Sequence, residues 1–219
     1  MDLIVKLNNF VKGMEIDYAI CGGHAIDLFL GYKTRAHKDL DVSVFWEDRD
    51  KVVQYMLNDG WDVYEPCGTN HLHKIYDIHN QKRIESNIWC VKPNNPRYTF
   101  TEYEKDMFAV EFDTSDQTDL GFVEFLFNTR NDEYFLFAKN HDIKLKLETA
   151  ILKTGDIPYI APELALLHKS NRTNITENQL DFDNTLHNLD GEQVKWLENA
   201  LHIMFPEGHK WCDAILKNN

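Results

Sequence analysis

The sequence predicts an α+β protein, in which helices flank a mixed, largely antiparallel sheet and a helical region follows at the C-terminus. Two observations lead to this prediction. Segments rich in β-branched and aromatic residues, separated by turn formers such as KPNNP and DTSDQTD, fill the middle of the 219-residue chain. Apolar residues recur at helical spacing near the N-terminus, and apolar helical patterns return after Pro158. We therefore expect a domain over residues 1–160 and a C-terminal helical subdomain over residues 161–219.

The first 60 residues alternate between helical and strand patterns. Apolar spacing and β-rich composition predict the following elements in chain order: a helix over 2–12, a strand over 17–21, a helix over 24–30, a strand over 40–45 and a helix over 48–57. Gly31 stands just past the second helix, where a glycine commonly ends helices.

Five β-rich runs follow, namely WDVYE, HLHKIYDI, RIESNIWCV, MFAVEFD and GFVEFLF. The next stretch, YFLFAKNHDIKLKLETA, fits neither helix nor strand clearly. Pro162 and Glu163 open an apolar helix, because proline suits the first helical turn. Asn174 or Thr176 is expected to cap the next helix, and GEQVKWLENALHIMF and WCDAIL supply two more.

Charge and composition restrict the classes of partner. The formal net charge of −13 disfavours nucleic acid and anionic lipid, which require a cationic surface, and it suits a cationic small molecule. The four cysteines form no C-x-x-C pair, which predicts reduced thiols in a cytoplasmic protein. We find neither a signal-peptide pattern nor 18 consecutive uncharged apolar residues, so we expect no membrane association.

The richest stretch for chemistry is CGGHAIDLFLGYKTRAHKDLDVSVF, from Cys21 to Phe45. Asp39 and Asp41 lie two apart on a predicted strand, so both side chains should point to one face. Two adjacent carboxylates repel each other, and a divalent cation relieves the repulsion. Mg²⁺ is usually held by one or two carboxylates together with substrate phosphates, and two such ions can act on one phosphoryl group.

The residues before the carboxylates suit a polyphosphate. Gly22 and Gly23 let the backbone approach a ligand at the start of a helix, where N–H groups face an anion. Donors and positive charge are added by Thr34, Arg35, His37 and Lys38. Alone, a Gly-Gly pair usually marks a turn and Asp-x-Asp a solvated edge. Joined in this order, they favour a site for ATP or another nucleoside triphosphate with two Mg²⁺ ions.

This pattern resembles the signature of the nucleotidyltransferase superfamily that includes DNA polymerase beta. It is closest to the branch of aminoglycoside and lincosamide nucleotidyltransferases, where GGHAID and then GYKTRAHKDLD stand in the expected order. His24 departs from the Ser or Trp frequent after the glycines. The resemblance implies a nucleotidyltransferase fold and a third carboxylate, which binds metal or takes the acceptor proton. It also implies that Lys169 reaches the triphosphate, although a cation there also suits a helix C-terminus.

Glu124, within GFVEFLF, is the first candidate for the third carboxylate. A charged residue inside an apolar strand is costly unless it is paired or metal-bound, whereas on an edge strand it would simply face solvent. Glu111 and Glu85 are the alternatives.

The resemblance implies transfer of a nucleoside monophosphate, AMP from ATP, to a hydroxyl of a small molecule such as an aminoglycoside antibiotic. Mg²⁺ would be required, pyrophosphate would be released, and the outcome would be antibiotic resistance. Two alternatives remain: a toxin-like enzyme that modifies protein or tRNA, and a nucleotide-binding module without activity. The identity of the acceptor, the preferred nucleotide and the oligomeric state stay open.

Two further patterns favour structural roles. His71 and His73 form an H-x-H pair without a companion metal motif, which indicates a structural or surface role rather than Zn²⁺ binding. Asp181 and Asp183 in LDFDN fit a solvated helix face, with orientation of this region or contact with the acceptor as the alternative.

Overall fold

The computed structural model describes residues 2–218 and forms two compact units. The first unit comprises residues 2–20 and Ala36–Asn128, and the second comprises Cys21–Arg35 and residues 129–218. The predicted domain division at residue 160 stays a prediction. Among the described residues, no helix combines the length and apolar character needed to cross a bilayer.

The α-helices are α1 (Asp2–Lys12), α2 (Gly22–Leu30), α3 (Arg49–Asn58), α4 (Leu147–Ala150), α5 (Pro162–Lys169), α6 (Thr176–Leu186), α7 (Gly191–Met204) and α8 (Lys210–Asn218). The strands are β1 (Tyr18–Ile20), β2 (Asp41–Phe45), β3 (Asp62–Pro66), β4 (His71–Ile75), β5 (Asn87–Val91), β6 (Tyr98–Glu104), β7 (Met107–Phe112), β8 (Phe122–Arg130), β9 (Tyr134–Leu136), β10 (Lys144–Lys146), β11 (Ile151–Thr154) and β12 (Ile157–Ile160).

The sheet of the first unit has the strand order β1-β2-β8-β5-β3-β4-β7-β6. Strands β2 and β8 run parallel, and the other neighbouring pairs in this order are antiparallel. This mixed, largely antiparallel arrangement confirms the predicted fold class. The central strands β2 and β8 are mostly buried, because their apolar residues fill the core.

Strand β6 was not predicted from the sequence. Its residues, YTFTEYE, are mostly exposed, so the hydrophobic pattern that normally reveals a strand is weak. Its ladder with β7 is antiparallel and pairs Tyr98 with Phe112. The strand therefore depends on backbone pairing and on aromatic contacts such as the stacking of Tyr98 on Phe122, whose ring centroids lie 5.1 Å apart.

In the second unit, the ambiguous stretch over residues 134–150 forms the antiparallel hairpin β9–β10 and the short helix α4. A second antiparallel hairpin, β11–β12, follows it and was not predicted. Helices α5 to α8 confirm the helical region predicted after residue 160. The residue that caps α6 is Ile175, rather than Asn174 or Thr176, and it provides no side-chain hydrogen bond. Helix α2 packs against α5 and α6, so the glycine-rich segment belongs to the same unit as the C-terminal helices.

Candidate functional site

The carboxylates of the first unit occupy neighbouring positions on two parallel strands. Asp41, the first residue of β2, is paired in register with Glu124 of β8. Residues paired in register on adjacent strands project from the same face of the sheet. The two carboxylates therefore lie side by side, and the role of Glu124 as the third carboxylate stays a prediction.

The secondary structure at Asp39 differs from the prediction. We expected Asp39 and Asp41 on one strand, but β2 begins at Asp41 and Asp39 lies in the irregular segment before it. One additional bond extends the ladder, since the backbone N of Glu124 donates to the Leu40 carbonyl oxygen at 2.9 Å. Asp39 is exposed, and its negative charge acts on Glu124.

Glu124 is held in an environment that disfavours its charge. Burial raises the pKa of this carboxyl above its ordinary value, and the negative charge of Asp39 raises it further. The side-chain amide of Asn87 on β5 donates a hydrogen bond to Glu124 Oε1 and lowers the pKa in part. A carboxylate in such a place is suited to bind a cation or to accept a proton.

Sequence reasoning missed several neighbours of these carboxylates. Tyr98 of β6 is one: burial raises the pKa of its phenol, the charges of Asp39 and Glu124 raise it further, and Arg97 lowers it. These four side chains thus share one neighbourhood. The hydrophobic pattern of the sequence could not reveal this neighbourhood. Tyr98 begins β6, a strand that was not predicted, and Arg97 directly precedes it.

Arg97 ties together the backbone around the carboxylates. Its Nη2 donates to the carbonyl oxygens of Lys38 at 3.1 Å, Asp113 at 3.1 Å and Ser115 at 2.6 Å. The next residue after Lys38 is Asp39, so this guanidinium fixes the chain directly before the Asp-x-Asp motif. Its Nε and Nη1 atoms are buried without a hydrogen-bond partner among the described residues.

His37, predicted to bind nucleotide, is buried. Its backbone N donates to Asp116 Oδ1 at 2.8 Å, and its carbonyl oxygen accepts from the Gln117 backbone N at 2.7 Å. These bonds attach the segment before the carboxylates to the loop before β8. Contact of His37 with nucleotide stays a prediction.

The alternatives for the third carboxylate lie elsewhere. Glu111 is exposed on β7, which is separated from β8 by β5, β3 and β4, roughly 20 Å along the sheet at the usual strand spacing. Glu85 is exposed in the segment before β5, and its carbonyl oxygen accepts from Arg49 Nη1.

The H-x-H pair has the structural and surface roles that the sequence favoured. His73 is buried, and its Nδ1 lies 2.9 Å from Glu65 Oε1. Glu65 is also paired with buried Arg49 at 3.0 Å, so the histidine belongs to an internal polar network. His71 is exposed and lies against the Tyr103 ring.

In the second unit, the glycine pair begins α2. The helix starts at Gly22, two residues earlier than predicted, and Gly22 has a φ of 65°, which an L-residue with a side chain rarely adopts. Cys21 precedes it and gives no side-chain hydrogen bond to the first turn. Both glycines thus stand at a helix N-terminus, the position at which backbone N–H groups favour an anion.

Thr34 is bound to the same helix. Its backbone N and its Oγ1 both donate to Asp27 Oδ1, at 2.8 and 2.7 Å. The threonine therefore holds the basic segment against α2. Binding of nucleotide by Thr34 stays a prediction.

Arg35 and Lys169, the two cations predicted to contact phosphate, converge on one carboxylate. Arg35 makes a two-pronged interaction with Asp181, from Nε to Oδ1 at 2.8 Å and from Nη2 to Oδ2 at 2.9 Å. Lys169 Nζ lies 3.0 Å from Asp181 Oδ2. The prediction of a solvated face is wrong for Asp181, which is 0% exposed, and correct for Asp183.

A cavity of about 270 Å³ also lies in the second unit, and none of the predicted site residues lines it. Buried Glu163 contributes to its wall beside Asp190 and Trp196. Burial raises the pKa of Glu163 to about 7, and a hydrogen bond from Gln193 opposes this shift. The cavity therefore has a carboxyl group that titrates near neutral pH.

The family model of aminoglycoside-2''-adenylyltransferase matches residues 3–70. The chain is similar to a solved structure of ANT(2'')-Ia in complex with adenylyl-2''-tobramycin, with 14% identity, 94% of this chain and 99% of that chain covered, and a TM-score of 0.55.

Two further solved structures share the fold. The lincosamide antibiotic adenylyltransferase LnuA, lincomycin-bound, is 16% identical, with 84% of this chain and 94% of that chain covered and a TM-score of 0.53. A solution structure of the antibiotic-resistance factor ANT(2'')-Ia is 14% identical, with 94% and 92% covered and a TM-score of 0.53. No curated protein matches the sequence.

The family match confirms the predicted resemblance to aminoglycoside nucleotidyltransferases over residues 3–70, and the solved aminoglycoside and lincosamide adenylyltransferases share the fold of this chain. The fold is the nucleotidyltransferase fold. The family match includes Gly22, Gly23, Asp39 and Asp41, and it ends before Glu124.

The residues of the first unit fit a magnesium ion. Asp41 and Glu124 are side by side on one face, and the charge of Asp39 acts on Glu124. Carboxylate oxygens are hard ligands of the kind that Mg²⁺ prefers. A divalent cation would offset the burial and the repulsion from Asp39 that together raise the pKa of Glu124.

Proposed function

We propose that the protein is a Mg²⁺-dependent nucleotidyltransferase that transfers AMP from ATP to a hydroxyl group of a small molecule. The observation that carries this proposal is the in-register pair of Asp41 and Glu124 on parallel strands, beside Asp39. The match to aminoglycoside-2''-adenylyltransferase supports adenylyl transfer and an aminoglycoside-type acceptor. The net charge of −13 is compatible with a polycationic acceptor.

In the proposed reaction, the acceptor hydroxyl oxygen forms a bond to the α-phosphorus of ATP. The bond between that phosphorus and the bridging oxygen of the β-phosphate breaks, and pyrophosphate leaves. Asp39, Asp41 and Glu124 would hold Mg²⁺, which, when bound, supplies charge stabilisation at the phosphoryl oxygens. Positioning and electrostatics provide most of the catalysis in phosphoryl transfer.

Glu124 is our candidate to accept the proton of the hydroxyl. Its carboxyl pKa is raised by burial and by Asp39, so its carboxylate is a stronger base than an exposed glutamate. Arg35 and Lys169 would bind the phosphates of ATP, together with the backbone at Gly22 and Gly23.

The experiment is an adenylylation assay. The protein is incubated with labelled ATP, Mg²⁺ and a panel of aminoglycosides and lincosamides, and products are measured by mass spectrometry. A mass gain of one AMP on an antibiotic, lost in Asp41→Asn, supports the proposal. Label on protein or tRNA instead would indicate a toxin-like enzyme, and ATP binding without any transfer would indicate an inactive module.

A further inference from the structure

Asp181 occupies an unusual place for a carboxylate on a surface helix. It lies in α6, is 0% exposed, and both of its oxygens contact cations. The Arg35 side chain is 15% exposed and the Lys169 side chain 14%. Three charged groups are therefore packed together with little access to water, where side-chain charges interact more strongly than at the surface.

Asp181 is shared by two cations. Arg35 contacts both of its oxygens and Lys169 contacts Oδ2, so one carboxylate orients two positively charged side chains. The neighbouring His168 adds no charge at neutral pH, because burial lowers its pKa to about 4 and the positive Lys139 and Lys169 act in the same direction. Two cations held close together by one carboxylate are suitable donors to the oxygens of a phosphate group.

The geometry also fixes orientation. The two-pronged bond from Arg35 uses Nε and Nη2 and so sets the plane of the guanidinium. Arginine and lysine side chains have many rotamers, and confining them before a ligand arrives removes part of the entropic cost of binding. Asp181 confines both, one from the segment after α2 and one from the end of α5.

We propose that Asp181 is a positioning residue, which holds Arg35 and Lys169 in the arrangement that binds the phosphates of the nucleotide. This inference rests on the proposed function, since it takes the nucleotide as the ligand. Asp181 itself does not contact substrate in this proposal. It acts through the two cations, so its loss affects the nucleotide and not the acceptor.

The first experiment compares Asp181→Asn with two matched controls. Asp183→Asn removes the same charge from the exposed face of the same helix. Thr185→Val removes a buried hydroxyl one turn further on, which donates to the Asp181 carbonyl oxygen rather than to the carboxylate. Melting temperature and the KM for each substrate are measured for all variants.

Asp181→Asn is expected to raise the KM for ATP between about 10- and 100-fold, because small misplacements of binding groups have effects of this size. The KM for the acceptor should stay within about twofold. Asp183→Asn should match wild type, and Thr185→Val should lower the melting temperature without changing the KM for ATP. A merely structural Asp181 would instead change both KM values together or neither.

A double-mutant cycle tests whether Asp181 acts through Arg35. In an Arg35→Ala background, Asp181→Asn should raise the KM for ATP by less than about threefold, since one positioned group is already missing. Independent, multiplicative effects would contradict the inference. Should Asp181→Asn fail to fold, Asp181→Glu keeps the charge while shifting the carboxylate by one methylene, and it should also raise the KM for ATP.

Calorimetry with inorganic triphosphate separates this inference from the proposed function. If wild type binds triphosphate at least about tenfold more tightly than Asp181→Asn, the inference stands even when no acceptor is adenylylated. If wild type transfers AMP and both proteins bind triphosphate equally, only the inference fails. If wild type binds neither ATP nor triphosphate, both proposals are overturned.

Discussion

The two units of the protein differ in the sign of the charged side chains that they bring together. The first unit collects carboxylates: Asp41 and Glu124 lie side by side, and the charge of Asp39 adds to the cost of ionising Glu124. The second unit collects cations: Arg35 and Lys169 share one buried carboxylate, Asp181. Adjacent carboxylates favour a cation as ligand, whereas two cations held together can donate to the oxygens of an anion.

The boundary between the two units also divides the segment from Cys21 to Phe45, which contains the glycines, the cations and the Asp-x-Asp motif. The boundary between the units falls between Arg35 and Ala36. The glycines and Arg35 therefore belong to one unit, and the Asp-x-Asp carboxylates belong to the other. The twenty residues from Gly22 to Asp41 thus contribute to two differently charged environments, each completed by residues far away in the chain.

The largest expected effect comes from removing a carboxylate of the first unit. Asp41→Asn should lower kcat/KM by about 10³-fold or more, because it removes a proposed metal ligand and leaves the strand pairing intact. Steady-state adenylylation kinetics measure the effect, with circular dichroism to confirm folding. Glu111→Gln, an exposed glutamate on β7, is the matched control and should retain full activity.

A second prediction concerns Glu163, which, like Asp181, is a buried carboxylate of the second unit. Asp181 is paired with two cations, whereas Glu163 is not. Glu163 has no ion pair with any other residue that the structure describes, and burial raises its pKa from 4.5 to about 7. The folded state therefore holds a proton that the unfolded state loses, and stability falls as pH rises from about 4.5 through 7.

Glu163→Gln should remove this part of the pH dependence and stabilise the protein at pH 8 by about 2 kcal/mol, allowing for relaxation of the site. Urea unfolding at pH 5 and pH 8 provides the measurement. An unchanged difference in unfolding free energy between the two pH values would contradict the assignment to Glu163.

A third substitution tests whether the shape of the Arg35 side chain matters in addition to its charge. Arg35→Lys keeps the positive charge but loses the planar fork that grips Asp181 through two bonds. We expect the KM for ATP to rise about tenfold, with the KM for the acceptor unchanged. Lys33→Arg, on the exposed side of the same segment, is the control. Equal KM values for Arg35→Lys and wild type would show that charge alone suffices.

The smallest expected effect concerns stability in the first unit. Glu124→Gln relieves the cost of ionising a buried carboxylate beside Asp39, so the metal-free protein should gain about 1 kcal/mol, or about 2–4 °C in melting temperature. The variant should be more stable than wild type only when Mg²⁺ is removed by a chelator, because Mg²⁺ should stabilise wild type more than the variant. Differential scanning calorimetry with and without Mg²⁺ decides between these outcomes. Loss of stability in the variant would show that Glu124 is held by the fold for structural reasons.

The hydrophobic pattern of the sequence predicted much of the secondary structure. The helices with clear apolar periodicity, such as α1, α5 and α7, were predicted close to their observed bounds. The segments with weak patterns were missed or ambiguous, notably β6 and the hairpins after residue 130. Mostly exposed strands give little periodic signal, because their stability depends on pairing with a partner that the sequence does not identify.

The sequence by itself predicted the kind of chemistry: the order of glycines, cations and paired aspartates predicted a nucleotide and a metal, and the resemblance predicted the fold. Only the tertiary structure decided which distant residues join these groups. Pairing of β2 with β8 placed Glu124 beside Asp41, and packing within the second unit brought Asp181 to Arg35 across 146 positions of sequence. Local pattern records the spacing along one element, whereas contacts between elements depend on strand register and on burial, which are properties of the folded chain.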